Sequence, residues 1–167
     1  MPFRRSHRTA VRSKAGISIS STFGVRLSGV GRVAGSSPGI AVARIDYRKS
    51  GRMPQMLFDT KAYIRFFRAN AAKYNIDPNR IGITGFSAGG HLASTAATLF
   101  DEGDPKASDP VDRVSSRPDI CVLGYPVITM MRDFTHKGSR ANLLGPEQDN
   151  DDLAAKLSSH NNVTDRT

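Results

Sequence analysis

At 167 residues the chain has room for one domain with a real core and too little for two comfortable ones. An apolar share of 38%, no tryptophan and a single cysteine imply a modest core and exclude an internal disulfide framework. The net charge of +9 suggests polyanion affinity, but it is lopsided: residues 1–39 carry seven Lys or Arg and no acid, while the remainder carries 17 basic against 15 acidic residues.

Residues 1–38, rich in Arg, Ser and Gly, hold no helical or strand period for long and are expected to form a basic, poorly ordered leader, with 39–167 as the folded domain. Its apolar stretch "AGISISSTFGV" is too interrupted for a secretory signal, although the Arg/Ser-rich, acid-free composition resembles an organellar presequence. Nothing approaches the roughly 20 apolar residues of a membrane span. The compartment is left undetermined, cytoplasmic by default.

The pattern changes after Gly39. "IAVARIDY" (40–47) reads as a buried strand, and from Pro54 onward Leu57, Ile64, Phe67, Ala71 and Tyr74 recur on one face of a helix. "NIDPNR" is expected to stop that helix in a turn, because Pro78 disfavours helical geometry at Asp77. "IGIT" (81–84) reads as a second strand, "AGGHLASTAATLF" (88–100) as a second helix and "PDICVLGYPVI" (118–128) as a third strand. The long loop at 101–118 lacks the Asp-x-Asp-x-Asp-Gly spacing of a calcium site and is expected to be solvated. Cys121, inside the third apolar run, is expected to be a buried, inert thiol. Alternating strands and helices of these lengths argue for an α/β fold: a mainly parallel sheet with helices on both faces.

The chemistry concentrates at Gly85-Phe86-Ser87-Ala88-Gly89. A serine on a sharp turn between a strand and a helix presents its hydroxyl at the carboxyl edge of a sheet. Gly85 and Gly89 are the residues expected to let so tight a turn close, and Ser87 is expected in a strained conformation. The Ala88 N–H, at the positive end of the helix, is placed to donate to an oxyanion. The alternatives are a packing turn or a phosphate loop, but the helix follows too immediately for the latter and Gly-x-x-x-x-Gly-Lys is absent.

"DPNRIGITGFSAGGHLAST", with "GIAVARIDYR" upstream and "RPDICVLGYPVI" and "THKGSRANLLG" downstream, resembles the esterase and lipase branch of the α/β-hydrolases, near bacterial acetyl xylan esterases. The resemblance covers roughly residues 39–167. It implies a serine ester hydrolase of short acyl esters, including acetylated carbohydrate such as xylan, without cofactor or metal, with Ser87 as nucleophile and Ala88 as an oxyanion donor. The family's glycine-rich oxyanion loop, which should precede Gly39, and its late Asp and His are not matched here. A partial fold, incomplete at both ends and weak or inactive as it stands, is therefore expected.

Among the four histidines, His91, on a helix that runs away from the Ser87 hydroxyl, is expected to pack or hydrogen-bond, and His7 and His160 to face solvent near the termini. His136, with Asp133 as orienter, is the stand-in base that the pattern offers, since it follows the third strand on the edge where active-site loops gather. Two non-enzymatic readings stand beside the hydrolase: a truncated fragment without function of its own, and a module gripping polyanions through the leader. With only Phe3 and Phe23 for stacking, the leader offers no specific nucleic-acid recognition. Oligomeric state is not legible.

Overall fold

The computed structural model describes residues 15–21, 40–45 and 55–167. Four parallel strands, β1 (Ala15–Ser21), β2 (Ile40–Ile45), β3 (Ile76–Phe86) and β4 (Ile120–Gly124), form one sheet in the order β2-β1-β3-β4. Parallel strands need crossovers, and among the described residues α1 (Gln55–Ala69) and the short α2 (Ala71–Tyr74) lie between β2 and β3, while α3 (Ala88–Thr98) connects the neighbours β3 and β4. Beyond β4 come α4 (Lys137–Leu144) and α5 (Asp151–Lys156), with 3-10 turns at Gly145–Glu147 and Ser159–Asn162.

The chain departs from expectation first at β1. Residues 15–21 do not lie outside the sheet as part of a leader; they pair with β2 on one side and β3 on the other. The underlying signal, Ile17 and Ile19 alternating with Ser18 and Ser20, has the period of a strand but spans only four residues among serines and glycines. Residues 1–14 and 22–39 lie outside the described residues, and with them the basic cluster and the polyanion reading.

The expected helix face is realised as Leu57, Ile64 and Phe67, which are buried together with Thr60. The helix breaks at Asn70, whose side-chain amide donates to the Phe66 carbonyl (2.8 Å) alongside its own backbone N–H (3.0 Å), so Ala71 and Tyr74 belong to α2. Asn75 closes α2 in the left-handed region (φ 53) and donates to the carbonyls of Ala71 and Ala72.

The expected turn at 75–80 is folded into β3 itself. Ala15 pairs with Ile76 and Ile17 with Ile81, so residues 77–80 bulge out of the ladder, and Asp77 Oδ1 accepts the Asn79 N–H at 2.9 Å. Beyond the bulge, Ile81 and Ile83 point into a core shared with Ile45, Ile64, Phe67, Leu92, Ala93 and Ala96 from β2, α1 and α3. A second cluster of Met130, Leu144, Ala154 and Leu157 holds the C-terminal helices.

The loop at 101–118 is tied down by α1. The Asp101 carboxylate pairs with Arg65 and with Lys61 (3.4 Å), while its backbone carbonyl accepts the Ser116 N–H (2.9 Å) and the Ser115 hydroxyl (3.0 Å). Arg68 donates to the Pro78 carbonyl (2.9 Å), the Ser115 carbonyl and the Asp119 carboxylate (3.0 Å). Among the described residues no group of three His, Cys, Asp or Glu is placed to hold a metal ion, and no helix is long and apolar enough to cross a membrane.

The third strand is shorter than expected and is not buried: Ile120 is 61% and Val122 58% exposed, because β4 is the last strand of the sheet among the described residues. Cys121 is accordingly exposed as a residue, not buried. Its sulfur nevertheless turns toward α3, donating to the Ala93 carbonyl at 3.8 Å, and burial of the thiol pushes its pKa to about 11. At neutral pH it is a protonated, unreactive thiol.

The contrast between β3 and β4 is measurable. Ile83→Ala, at 1% exposure, is expected to cost about 2–5 kcal/mol in equilibrium urea unfolding. Ile120→Ala is expected to stay within about 0.5 kcal/mol of the parent.

Candidate active site

β3 ends at Phe86 and α3 begins at Ala88, leaving one residue, Ser87, to reverse the chain. It does so at φ 51, ψ −120, a region that non-glycine residues rarely occupy. The side chain is exposed and makes no hydrogen bond to cap the helix it precedes. A hydroxyl that leaves its own helix uncapped and points to solvent from a strained backbone is available for chemistry.

Backbone hydrogen bonds hold the turn. The Ser87 N–H donates to the Gly124 carbonyl at 3.1 Å, and the Ser87 carbonyl accepts from the N–H groups of His91 (3.1 Å) and Val127 (3.3 Å). The register of β3 against β4, which sets Phe86 opposite Gly124, brings these partners together. Ala88 is exposed at the first position of α3, where backbone N–H groups have no partner within the helix.

Gly85 and Gly89 are both buried beside the turn. Two further glycines that sequence reasoning missed limit the packing here. A Cβ on Gly90 would stand 2.8 Å from the Pro126 Cβ and 3.1 Å from the Gly85 carbonyl oxygen, and one on Gly124 would collide with the Phe86 ring. The second glycine of "AGG" was visible in the sequence; its partner, distant in the chain, was not. Tyr125, at φ 34 and 79% exposed, packs at a tilt against Phe86 with ring centroids 5.8 Å apart.

His91 does have the hydrogen-bonding role expected of it. The imidazole is buried, Nδ1 lies 2.8 Å from the Val127 carbonyl oxygen and Nε2 3.4 Å from Thr95 Oγ1. Burial lowers its pKa, and the bond to Val127 opposes that shift in part.

The structure does not assemble the stand-in pair. His136 caps α4: its Nδ1 accepts the Ser139 N–H at 3.2 Å and contacts Ser139 Oγ at 3.0 Å. Asp133 makes no hydrogen bond to it, since Nδ1, the atom an orienting carboxylate would hold, is committed to the helix end. Asp133 instead shares an open cleft of about 580 Å³ with Ile128, Met131, Arg132, Phe134 and His160. Ser87 is not part of its wall. His160 is exposed, as expected, while its neighbour Ser159 is buried and meets Ser94 Oγ on α3 at 2.7 Å. Among the described residues no histidine side chain hydrogen-bonds the Ser87 hydroxyl.

Two measurements follow from this geometry. Ser87→Gly is expected to raise stability by about 1 kcal/mol, relief of a strain of about 1–3 kcal/mol offset by the added freedom of an unfolded glycine; Ser87→Ala brings no such gain. For His91, the polar groups that the imidazole meets among the described residues are the Val127 carbonyl and the Thr95 hydroxyl, and its folded pKa lies below the ordinary 6.5. The unfolded chain therefore binds more protons below that value. Stability from this group is complete above about pH 6.5 and is lost as pH falls toward the depressed folded pKa. Urea midpoints at about pH 7 and about pH 5 should diverge more in the parent than in His91→Asn.

With the geometry in place, comparison with known proteins assigns the lineage. The family model named BD-FAE matches residues 32–167. Endo-1,4-beta-xylanase B of Butyrivibrio fibrisolvens is 42% identical over 102 residues, which is 59% of this chain and 15% of that protein. The acetylxylan esterase of Xylanibacter ruminicola is 37% identical over 110 residues, 65% of this chain and 20% of that protein. The chain thus spans a fifth or less of the length of these curated relatives. In three dimensions the acetyl ester-xyloside bifunctional hydrolase from Caldicellulosiruptor lactoaceticus superposes with a TM-score of 0.75 at 44% identity, covering 93% of this chain and 59% of that one. The parallel sheet, the strained serine turn and the match over 32–167 together establish that this chain belongs to the BD-FAE family of α/β-hydrolase-type esterases.

Proposed function

We propose that the chain carries the nucleophile half of a serine ester hydrolase acting on short acyl esters of carbohydrate, acetylated xylan among them. The observation that carries this reading is the exposed Ser87 at φ 51, ψ −120, alone between β3 and α3. The names of the relatives, acetylxylan esterase and acetyl ester-xyloside hydrolase, support the substrate class.

In this reading Ser87 Oγ attacks the acyl carbonyl and forms a tetrahedral adduct whose oxygen becomes negative. The Ala88 N–H, at the positive end of an eleven-residue helix, donates to that oxygen. Collapse expels the alcohol as the acyl-serine forms, the serine proton passing through a base to the leaving oxygen; water then releases the acid by the same steps in reverse order. Gly85 and Gly89 keep the turn tight enough for Oγ and the Ala88 N–H to face one reacting carbon. The mechanism calls on no cofactor or metal.

The described residues place no base at the hydroxyl: His91 Nδ1 is committed to Val127 and His136 Nδ1 to Ser139, and no described histidine side chain hydrogen-bonds Ser87 Oγ. Losing the base costs about as much rate as losing the whole triad, and losing one oxyanion donor costs about 10²–10³-fold. The chain by itself is therefore proposed to acylate slowly and to turn over at background rate.

Incubation with p-nitrophenyl acetate tests both parts. Peptide mass spectrometry should find one acetyl adduct, on Ser87, absent from Ser87→Ala, while steady-state release of p-nitrophenol is no faster than in that variant. Adducts elsewhere would remove the assignment of the nucleophile; sustained serine-dependent turnover would remove the forecast of inactivity.

A further inference from the structure

We propose that His91 is the positioning residue of the serine turn: its Nδ1–H grips the segment after β4 and through it holds the backbone of Ser87. The inference deepens the reading of Ser87 as nucleophile, rests on it, and assigns a role to a side chain that touches no substrate.

The argument is a closed ring of hydrogen bonds. A carbonyl oxygen only accepts, so the 2.8 Å contact between His91 Nδ1 and the Val127 carbonyl places the ring proton on Nδ1. The other end of Val127, its N–H, donates to the Ser87 carbonyl at 3.3 Å. Val127 is thereby held at both ends by the opening of α3, its N–H by Ser87 and its carbonyl by His91. The Ser87 N–H reaches back to the Gly124 carbonyl at 3.1 Å. Residues 124–127, Ser87 and the imidazole therefore share one frame, and Ser87 is fixed through both its N–H and its carbonyl.

Packing enforces the approach. Gly90, the residue before His91, lies so close to Pro126 that a Cβ would stand 2.8 Å from the Pro126 Cβ, and this closeness lets the imidazole reach the next residue. On its far side, Nε2 faces Thr95 Oγ1 (3.4 Å), which lies 3.4 Å from Ser159 Oγ, itself 2.7 Å from Ser94 Oγ. At 4% exposure, with both ring nitrogens turned to these partners, His91 is enclosed and does not serve as the proton acceptor for an exposed serine. An apolar side chain of similar size would fill the space and leave the half-buried Val127 carbonyl without this donor.

The test uses isotope-labelled full chain and nuclear magnetic resonance, with His91→Leu and His91→Asn as variants; the asparagine amide can donate from near the position of Nδ1. In the parent, the His91 ring nitrogens should report the Nδ1–H tautomer. In His91→Leu, the Ser87 Cα and Cβ shifts, which report its positive φ, should move. Val127 amide exchange should accelerate by about tenfold relative to the amides of Ile81 and Ile83. His91→Asn should restore both signals. An Nε2–H tautomer, unchanged Ser87 and Val127 signals in His91→Leu, or acceleration spread equally over the sheet would overturn the proposal. If His91→Leu fails to fold, His91→Asn decides: parent-like Ser87 and Val127 signals uphold the role, loosened ones refute it. None of these readouts depends on turnover, so failure of Ser87 to accept an acetyl group would sink the functional reading and leave the positioning result separately visible.

Discussion

A serine at φ 51, ψ −120 does not stay there unaided, and most of what surrounds it serves to hold it. Such a conformation costs about 1–3 kcal/mol and persists only where the neighbourhood over-determines it. Here the neighbourhood is the pairing of β3 with β4. Because Phe86 sits opposite Gly124, the chain emerging from β4 presents a carbonyl to the Ser87 N–H and, three residues later, an N–H to the Ser87 carbonyl. A shift of that register by one residue would remove both partners at once.

The register depends on α1 in turn. Arg68 spans from the Pro78 carbonyl in the β3 bulge to the Asp119 carboxylate at the entrance to β4. Asp119 accepts the Ile81 N–H at 2.8 Å and returns its own N–H to the Ile81 carbonyl at 2.8 Å. The long connection at 101–118 is fastened to the same helix through Asp101, Lys61 and Arg65. The strut thus runs from a basic helix face, through a bulge and a loop, to the strand that supports the nucleophile turn. Lys61, Arg65 and Arg68, which lie off the apolar face of the helix, are its tethers.

The C-terminal helices form a separate layer. Their core of Met130, Leu144, Ala154 and Leu157 is organised by Arg140, which is buried and donates to the carbonyls of Met130 and Gln148 and to Asp151. This layer meets α3 through Ser159 and Ser94, at the far end of the hydroxyl cluster that begins at His91. The open cleft lies in this layer, and Ser87 is not part of its wall.

Much was legible from residue order. Gly85-Phe86-Ser87-Ala88-Gly89 between an apolar run and a small-residue helix determined the turn and its strain, because that chemistry is local: only one residue separates strand from helix. The periods of Leu57, Ile64 and Phe67 and of Ile81 and Ile83 determined which faces meet the core, since periodicity maps directly onto burial. Tertiary structure alone decided the rest. β1 becomes a strand through ladders on both its sides, which a four-residue alternation cannot announce. His136 turned out to be a helix cap, Cys121 an exposed residue on the last described strand, and His91 the partner of a carbonyl 36 residues away. Each of these roles is set by which distant backbone group arrives beside the side chain, and that depends on strand order and register, which no local pattern encodes.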